Sequence, residues 1–167
     1  MSAQYQDRQG SMKTWIYASR GNPQGPDAVV IVPVHEDENK LVLIKEFRVP
    51  LQGNQYGFPA GLMDPGESIE QAGRRELLEE TGLQVTRVLK QSPTLFSSSG
   101  MTDESISLLY VRCKGIPSTR LNESSEQIDV MMLSREDAKD LLARPGLKFD
   151  VKSWIVLDRF ASEGSII

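Results

Sequence analysis

Sulfur and imidazole chemistry are almost missing from this chain of 167 residues, which holds one cysteine, Cys113, and one histidine, His35. A lone cysteine rules out a disulfide framework and a thiolate zinc site. Cys113, inside the apolar stretch SLLYVRCK, reads as a small buried strand residue. His35 stands where VIVPV gives way to EDENK, and no nucleophile elbow or other triad motif accompanies it. A general base must therefore be sought among the carboxylates. Long apolar runs are missing too: the longest, Ala28 to Val32 before Pro33, is far short of the roughly 20 residues that cross a bilayer. The start MSAQYQDRQGS lacks the apolar centre of a signal peptide, so the expectation is a soluble, cytoplasmic protein. Positive charge is also in short supply. With a net charge of −4, no basic field draws the chain to nucleic acid or to an anionic membrane, and neither is expected as a partner. A phosphorylated ligand would need a local device, such as a metal ion or a few arginines.

What is present suits a folded domain, since 39% of residues are hydrophobic and 25% charged, near the globular average. One domain over residues 1–167 is expected, with 1–11 as a flexible tail and a frayed end at SEGSII. The β-branched runs AVVIVPV (28–34) and LVLIKE (41–46), separated by HEDEN, predict a hairpin. Further strands are expected at Val85 to Lys90, Ser105 to Cys113 and Gln127 to Leu133. A helix is expected from about Ser68 to Thr81, with capping-box spacing between Ser68 and Gln71 and a left-handed stop at Gly82. Two more follow Ser134 and Asp150. The pattern is mixed α/β, with helices around a mainly antiparallel or mixed sheet.

The chemistry gathers on the first of these helices. Glu76, Glu79 and Glu80 fall within an arc of roughly 100° beside Ile69, Ala72 and Gly73, so they share a face. Like charges so placed repel by only a few tenths of a kcal/mol per exposed pair, and a solvated helix face would tolerate that. Solvation does not explain why the cluster follows GLMDPGE, a glycine-rich turn with a further acid, or why Arg74 and Arg75 interrupt it. A hard divalent cation would, because Mg²⁺ takes oxygen ligands and keeps positions for water and phosphate.

The stretch GLMDPGESIEQAGRRELLEETGL, residues 61–83, resembles the box of the Nudix hydrolases, G-x5-E-x7-R-E-U-x-E-E-x-G-U with U a bulky aliphatic residue. Gly61, Glu67, Arg75, Glu76, Leu77, Glu79, Glu80, Gly82 and Leu83 fill every specified position. The resemblance implies an α/β/α sandwich with a mixed sheet, and hydrolysis of a nucleoside diphosphate linked to another group. It further implies that Glu76, Glu79 and Glu80 hold Mg²⁺ or Mn²⁺ together with the carbonyl of Ala60, while Arg75 and Glu67 brace helix and loop. Such a metal neutralises the diphosphate, polarises phosphorus and lowers the pKa of the attacking water.

YGFPAGLMDPGE is similar to the segment entering the box in the ADP-ribose and nucleotide-sugar pyrophosphatase branch, and IKEFRVPL to the strand that brings an arginine to substrate there. Arg48 is thus the candidate diphosphate contact, with a surface ion pair as the plain alternative. SSSGMTDE, Ser97 to Glu104, looks like the loop after the box, which makes Met101 a candidate substrate contact. Ser99 stands where that branch carries a proline, so nucleotide sugars other than ADP-ribose stay open. Trp15 and Tyr17 could stack on a base or pack on the fold or on a second subunit. The late loop LNESSEQIDV supplies Glu126 and Glu123 as candidates for the catalytic base, with Glu79 behind them and Glu80 the acid whose loss should stop turnover. Three functions remain open: a nucleotide-sugar pyrophosphatase, a hydrolase of dinucleotide polyphosphates or nucleoside triphosphates, and a non-catalytic sensor of the same fold. A homodimer is expected from the resemblance alone.

Overall fold

A computed structural model describes residues 1–21, 25–122 and 127–166. In chain order it holds strands β1 (Ser2–Gln6), β2 (Met12–Ile16), β3 (Ala28–His35), β4 (Lys40–Arg48), β5 (Gly53–Gly57) and β6 (Ala60–Leu62). Helix α1 (Ile69–Thr81) follows, then β7 (Gln84–Gln91), β8 (Leu95–Phe96), β9 (Ser105–Lys114), β10 (Ile128–Leu133), α2 (Arg135–Ala143), β11 (Lys148–Phe149) and α3 (Val151–Glu163).

The hairpin expected from AVVIVPV and LVLIKE forms as antiparallel β3 and β4, with Val34 opposite Leu41. Around it runs one mixed sheet in the order β11-β5-β4-β3-β9-β7, with β10 beside β4, β6 beside β3 and β8 beside β9. β3 and β9 are parallel over eight registered pairs, from Ala28–Ile106 to His35–Cys113. Alternation along the strands sends side chains to two faces. Val30, Val32 and Val34 join Leu41, Leu43, Leu157 and Phe160 in one cluster, under α2 and α3. Val29, Ile31, Leu109 and Val111 meet Ala72 and Leu77 of α1 in the other. The result is the expected α/β/α sandwich, in which, among the described residues, α1 covers one face and α2 and α3 the other. Gly73 lets α1 approach closely, since a Cβ there would stand 2.5 Å from Leu109 Cδ2.

The helix signals are realised in detail. Ser68 accepts from the Gln71 amide while the Gln71 side chain accepts from the Ser68 amide, and Gly82 adopts φ 72°. Ser134 and Asp137 repeat the reciprocal cap on α2, and Asp150 caps α3. Arg135 donates to the carbonyls of Ala161 and Ser162, closing the far end of α3.

Two expectations differ from the structure. Residues 1–11, expected to fray, hold β1 and the turn into β2, paired from Ser2–Ile16 to Gln6–Met12. Every residue of both strands is exposed, so no buried alternation marks them in the sequence. Ile166, in the end expected to fray, is 7% exposed and joins the core under α2 and α3. Among the described residues no helix is long and apolar enough to cross a membrane.

Candidate active site

Helix α1 turns its carboxylates inward. Glu76 and Glu80 are 9% and 4% exposed and lie on the same stripe as Ala72, Gly73 and Leu77, so they are part of the buried face. Burying a carboxylate is tolerated only where it is paired or hydrogen-bonded. Glu80 accepts the Ala60 N–H at 3.1 Å. Glu76 lies against Gly61 so closely that a Cβ there would collide with its carboxylate. Glu79 is more open, its side chain 45% exposed.

Arg75 links the acids. Its Nη1 donates to Glu76 Oε1 at 2.7 Å and to Glu79 Oε2 at 3.1 Å. Its Nε and Nη2 clasp the two oxygens of Glu67 at 3.0 and 2.9 Å, and Nη2 also donates to the Leu62 carbonyl. Glu67 accepts in addition from the Asp64 amide at 3.0 Å. These contacts, Arg75 first, hold the Glu67 carboxyl down at about 2. The same carboxylates, Glu67 foremost, hold Arg75 protonated well beyond the ordinary arginine range. Arg75 and Glu67 thus tie the loop 62–67 to α1.

The three glutamates share the helix face that the sequence suggests but do not meet at one point. Glu76 and Glu79 converge on Arg75, and Glu80 turns to Ala60. No group of three His, Cys, Asp or Glu side chains among the described residues is gathered as a metal cage. The reason is local: Arg75 is the cation one residue and four residues away from two of them. The donor chemistry still fits a hard divalent ion. In the β3–β6 ladder Pro59 and Met63 turn their bonding groups to β3, so the backbone groups of Ala60 face the opposite edge, where Glu80 already takes the N–H. The Ala60 carbonyl shares that edge, and Gly61 leaves room beside it for the Glu76 carboxylate.

Arg48, at the end of β4, pairs with Glu46 at 2.9 Å and lines a cleft of about 60 Å³ that also includes Ala60, Phe58, Asp150 and Lys152. The candidate diphosphate contact therefore stands in the same cleft as Ala60, the residue before the box. Met101 does not line this cleft; the residue is 74% exposed in a loop bound to the N-terminal segment, where Ala18 donates to the Met101 carbonyl and Trp15 Nε1 to the Gly100 carbonyl. Trp15 and Tyr17 line a separate, larger cavity with Tyr5 and Phe96. Glu123 and Glu126 lie outside the described residues. His35 is 4% exposed, with Nε2 at 2.9 Å from the carbonyl of Gly115, which packs against Gly82 and Leu83 at the end of the box, and it does not line the Arg48 cleft. Burial pushes the Cys113 thiol up to about 12. Lys152 escapes sequence reasoning altogether; the one available signal is its place two residues after the helix-capping Asp150.

Comparison with known proteins gives the family. The NUDIX domain model matches residues 25–154. The chain is similar to an ADP-ribose pyrophosphatase of Saccharomyces cerevisiae, 30% identical over 162 residues that cover 89% of this chain and 70% of that protein. It is similar to the ADP compounds hydrolase NudE of Escherichia coli, 42% identical over 84 residues, 47% of this chain and 44% of that one. The chain spans about half the length of several of the curated relatives it matches. Its fold is like that of the crystal structure of an ADP compounds hydrolase, with a TM-score of 0.70 at 20% identity over 99% of this chain and 87% of the other. The chain belongs to the Nudix family, and its similarity runs to the ADP-ribose pyrophosphatase branch of it.

Proposed function

We propose that this protein is a Nudix pyrophosphohydrolase that splits the diphosphate of a nucleoside diphosphate sugar, of the ADP-ribose or NDP-hexose kind, into a nucleoside monophosphate and a sugar phosphate. The observation that carries the reading is the intact and braced set of acids: Glu76 and Glu80 buried beside Gly61 and Ala60, with Arg75 and Glu67 holding the loop to the helix. A sensor of this fold would have no use for four acids held so firmly. The names of the yeast and bacterial relatives, an ADP-ribose pyrophosphatase and an ADP compounds hydrolase, support the substrate class.

Glu76, Glu79, Glu80 and the Ala60 carbonyl would hold Mg²⁺ or Mn²⁺, which when bound neutralises diphosphate charge and makes phosphorus more electrophilic. Arg48 binds diphosphate oxygens, for which its planar guanidinium is suited. Arg75 holds Glu76 and Glu79 in place through hydrogen bonds from its Nη1. Water oxygen bonds to one phosphorus while the bridging oxygen leaves with the other phosphate, and a carboxylate takes the proton that the water loses. Among the described residues Glu79 serves that role best, because its side chain is open to solvent and can pass the proton on. The whole chain works as one domain, and the exposed β1–β2 hairpin with Tyr5 and Trp15 supports a homodimer.

The test is monophosphate release from ADP-ribose, ADP-glucose, GDP-mannose, UDP-glucose, diadenosine polyphosphates and nucleoside triphosphates, with Mg²⁺ or Mn²⁺ and with a chelator. Metal-dependent turnover of nucleotide sugars is the expected result. Turnover confined to triphosphates or dinucleotides would overturn the substrate assignment, and none at all from folded protein would overturn the enzyme.

A further inference from the structure

The cleft that holds Arg48 carries a second cation with no assigned role. Ile44, Glu46 and Arg48 are alternate residues of β4 and share a face of the sheet, and they line the cleft together with Ala60 and Lys152. Lys152 comes from the first turn of α3, more than ninety positions further along the chain. Its Nζ pairs with Asp150 Oδ1 at 2.7 Å, with its side chain 26% exposed.

The start of α3 is tied by hydrogen bonds to the segment that leads into the box. Asp150 Oδ2 accepts from the Ser153 amide at 3.1 Å and from its hydroxyl at 2.9 Å. That hydroxyl oxygen accepts the Phe58 N–H at 3.0 Å, and the Asp150 N–H donates to the Tyr56 carbonyl at 2.9 Å. Phe58 is two residues before Ala60, so these hydrogen bonds join the start of α3 to the segment that leads to the edge facing Glu80.

Charge and size narrow what the cleft can take. At rest Arg48 is paired with Glu46 and Lys152 with Asp150, which leaves it near neutral. Both cations keep enough exposure to turn toward an anion while their acids stay in place. The cleft, about 60 Å³ in volume, has room for a phosphoryl group.

We infer that Lys152 is a substrate-positioning residue that, with Arg48, binds the phosphoryl group of the diphosphate lying away from the box glutamates. The inference rests on the hydrolase reading above and adds to it a residue that the box does not contain. Lys152 lowers the free energy of the bound substrate through a charge-assisted contact, so it acts on KM and affinity more than on kcat.

The experiment compares wild type, Lys152→Gln and Lys152→Arg by steady-state kinetics on ADP-ribose and by calorimetric binding of its non-hydrolysable α,β-methylene analogue in the presence of Mg²⁺. Expected is an affinity for the analogue about tenfold or more weaker in Lys152→Gln, with KM rising in step, kcat within about twofold, unchanged Tm, and recovery in Lys152→Arg. Equal affinity in Lys152→Gln, with a wild type that turns over, would overturn the role of Lys152 and leave the hydrolase reading standing. A lower Tm with no recovery in Lys152→Arg would make Lys152 a structural partner of Asp150 and overturn the inference. A wild type that neither binds the analogue nor hydrolyses any nucleotide sugar would overturn the hydrolase reading, and this inference with it.

Discussion

Glu80 Oε2 and the Ala60 amide nitrogen lie 3.1 Å apart, joining the last turn of α1 to the strand that enters the box. Glu80 is 4% exposed, so this contact does double duty: it satisfies a buried acid and places it beside the Ala60 carbonyl. Glu80→Gln keeps the size and an accepting oxygen but loses the charge. Turnover should fall by about 100-fold or more while Tm shifts by no more than about 4 °C. Activity near wild type would remove Glu80 from the reaction.

Gly61 is required for space, since any Cβ there collides with the Glu76 carboxylate. Gly61→Ala should cost about 1–3 kcal/mol of stability if Glu76 holds its place, or displace Glu76 and abolish turnover if it yields. Urea denaturation and kinetics on the same sample separate the two, and a variant normal by both measures would contradict the described packing.

Glu67 links stability to acid. Its carboxyl is held at about 2, against 4.5 ordinarily, by Arg75 and then by the Asp64 N–H. A depressed carboxyl favours the folded state fully above the unfolded value, and that contribution fades as pH falls from about 4.5 toward 2. Glu67→Gln should therefore lose stability at neutral pH and show a flatter decline across this window. Parallel denaturant midpoints at about pH 6 and about pH 3 measure it.

Cys113 should be silent in the native state. Its side chain is wholly buried and its thiol is pushed up to about 12 by that burial, with Glu36 adding to it. A chromogenic disulfide reagent at pH 8 should find no thiol in the folded protein and one per chain in denaturant. Rapid native labelling would mean that β9 opens locally.

Local patterns in the sequence determined α1, its two caps, the β3–β4 hairpin and the register of the box acids. Each depends on residues within a few positions of one another: Ser68 with Gln71, Gly82 at the stop, β-branched runs around a polar turn. The short strands β5, β6, β8 and β11 were beyond such reading, because two to five residues make no period, and glycine further weakens the signal in β5 and β6. So was β1, whose exposed face gives no alternation. Tertiary structure alone decided that β9 lies parallel to β3, that Glu80 meets Ala60, and that Arg48 and Lys152 face one cleft. Those relations join residues 20 to more than 100 positions apart. Periodicity and capping act within a turn or a strand, whereas contacts across such spans are chosen by burial and hydrogen-bond satisfaction in the assembled sandwich.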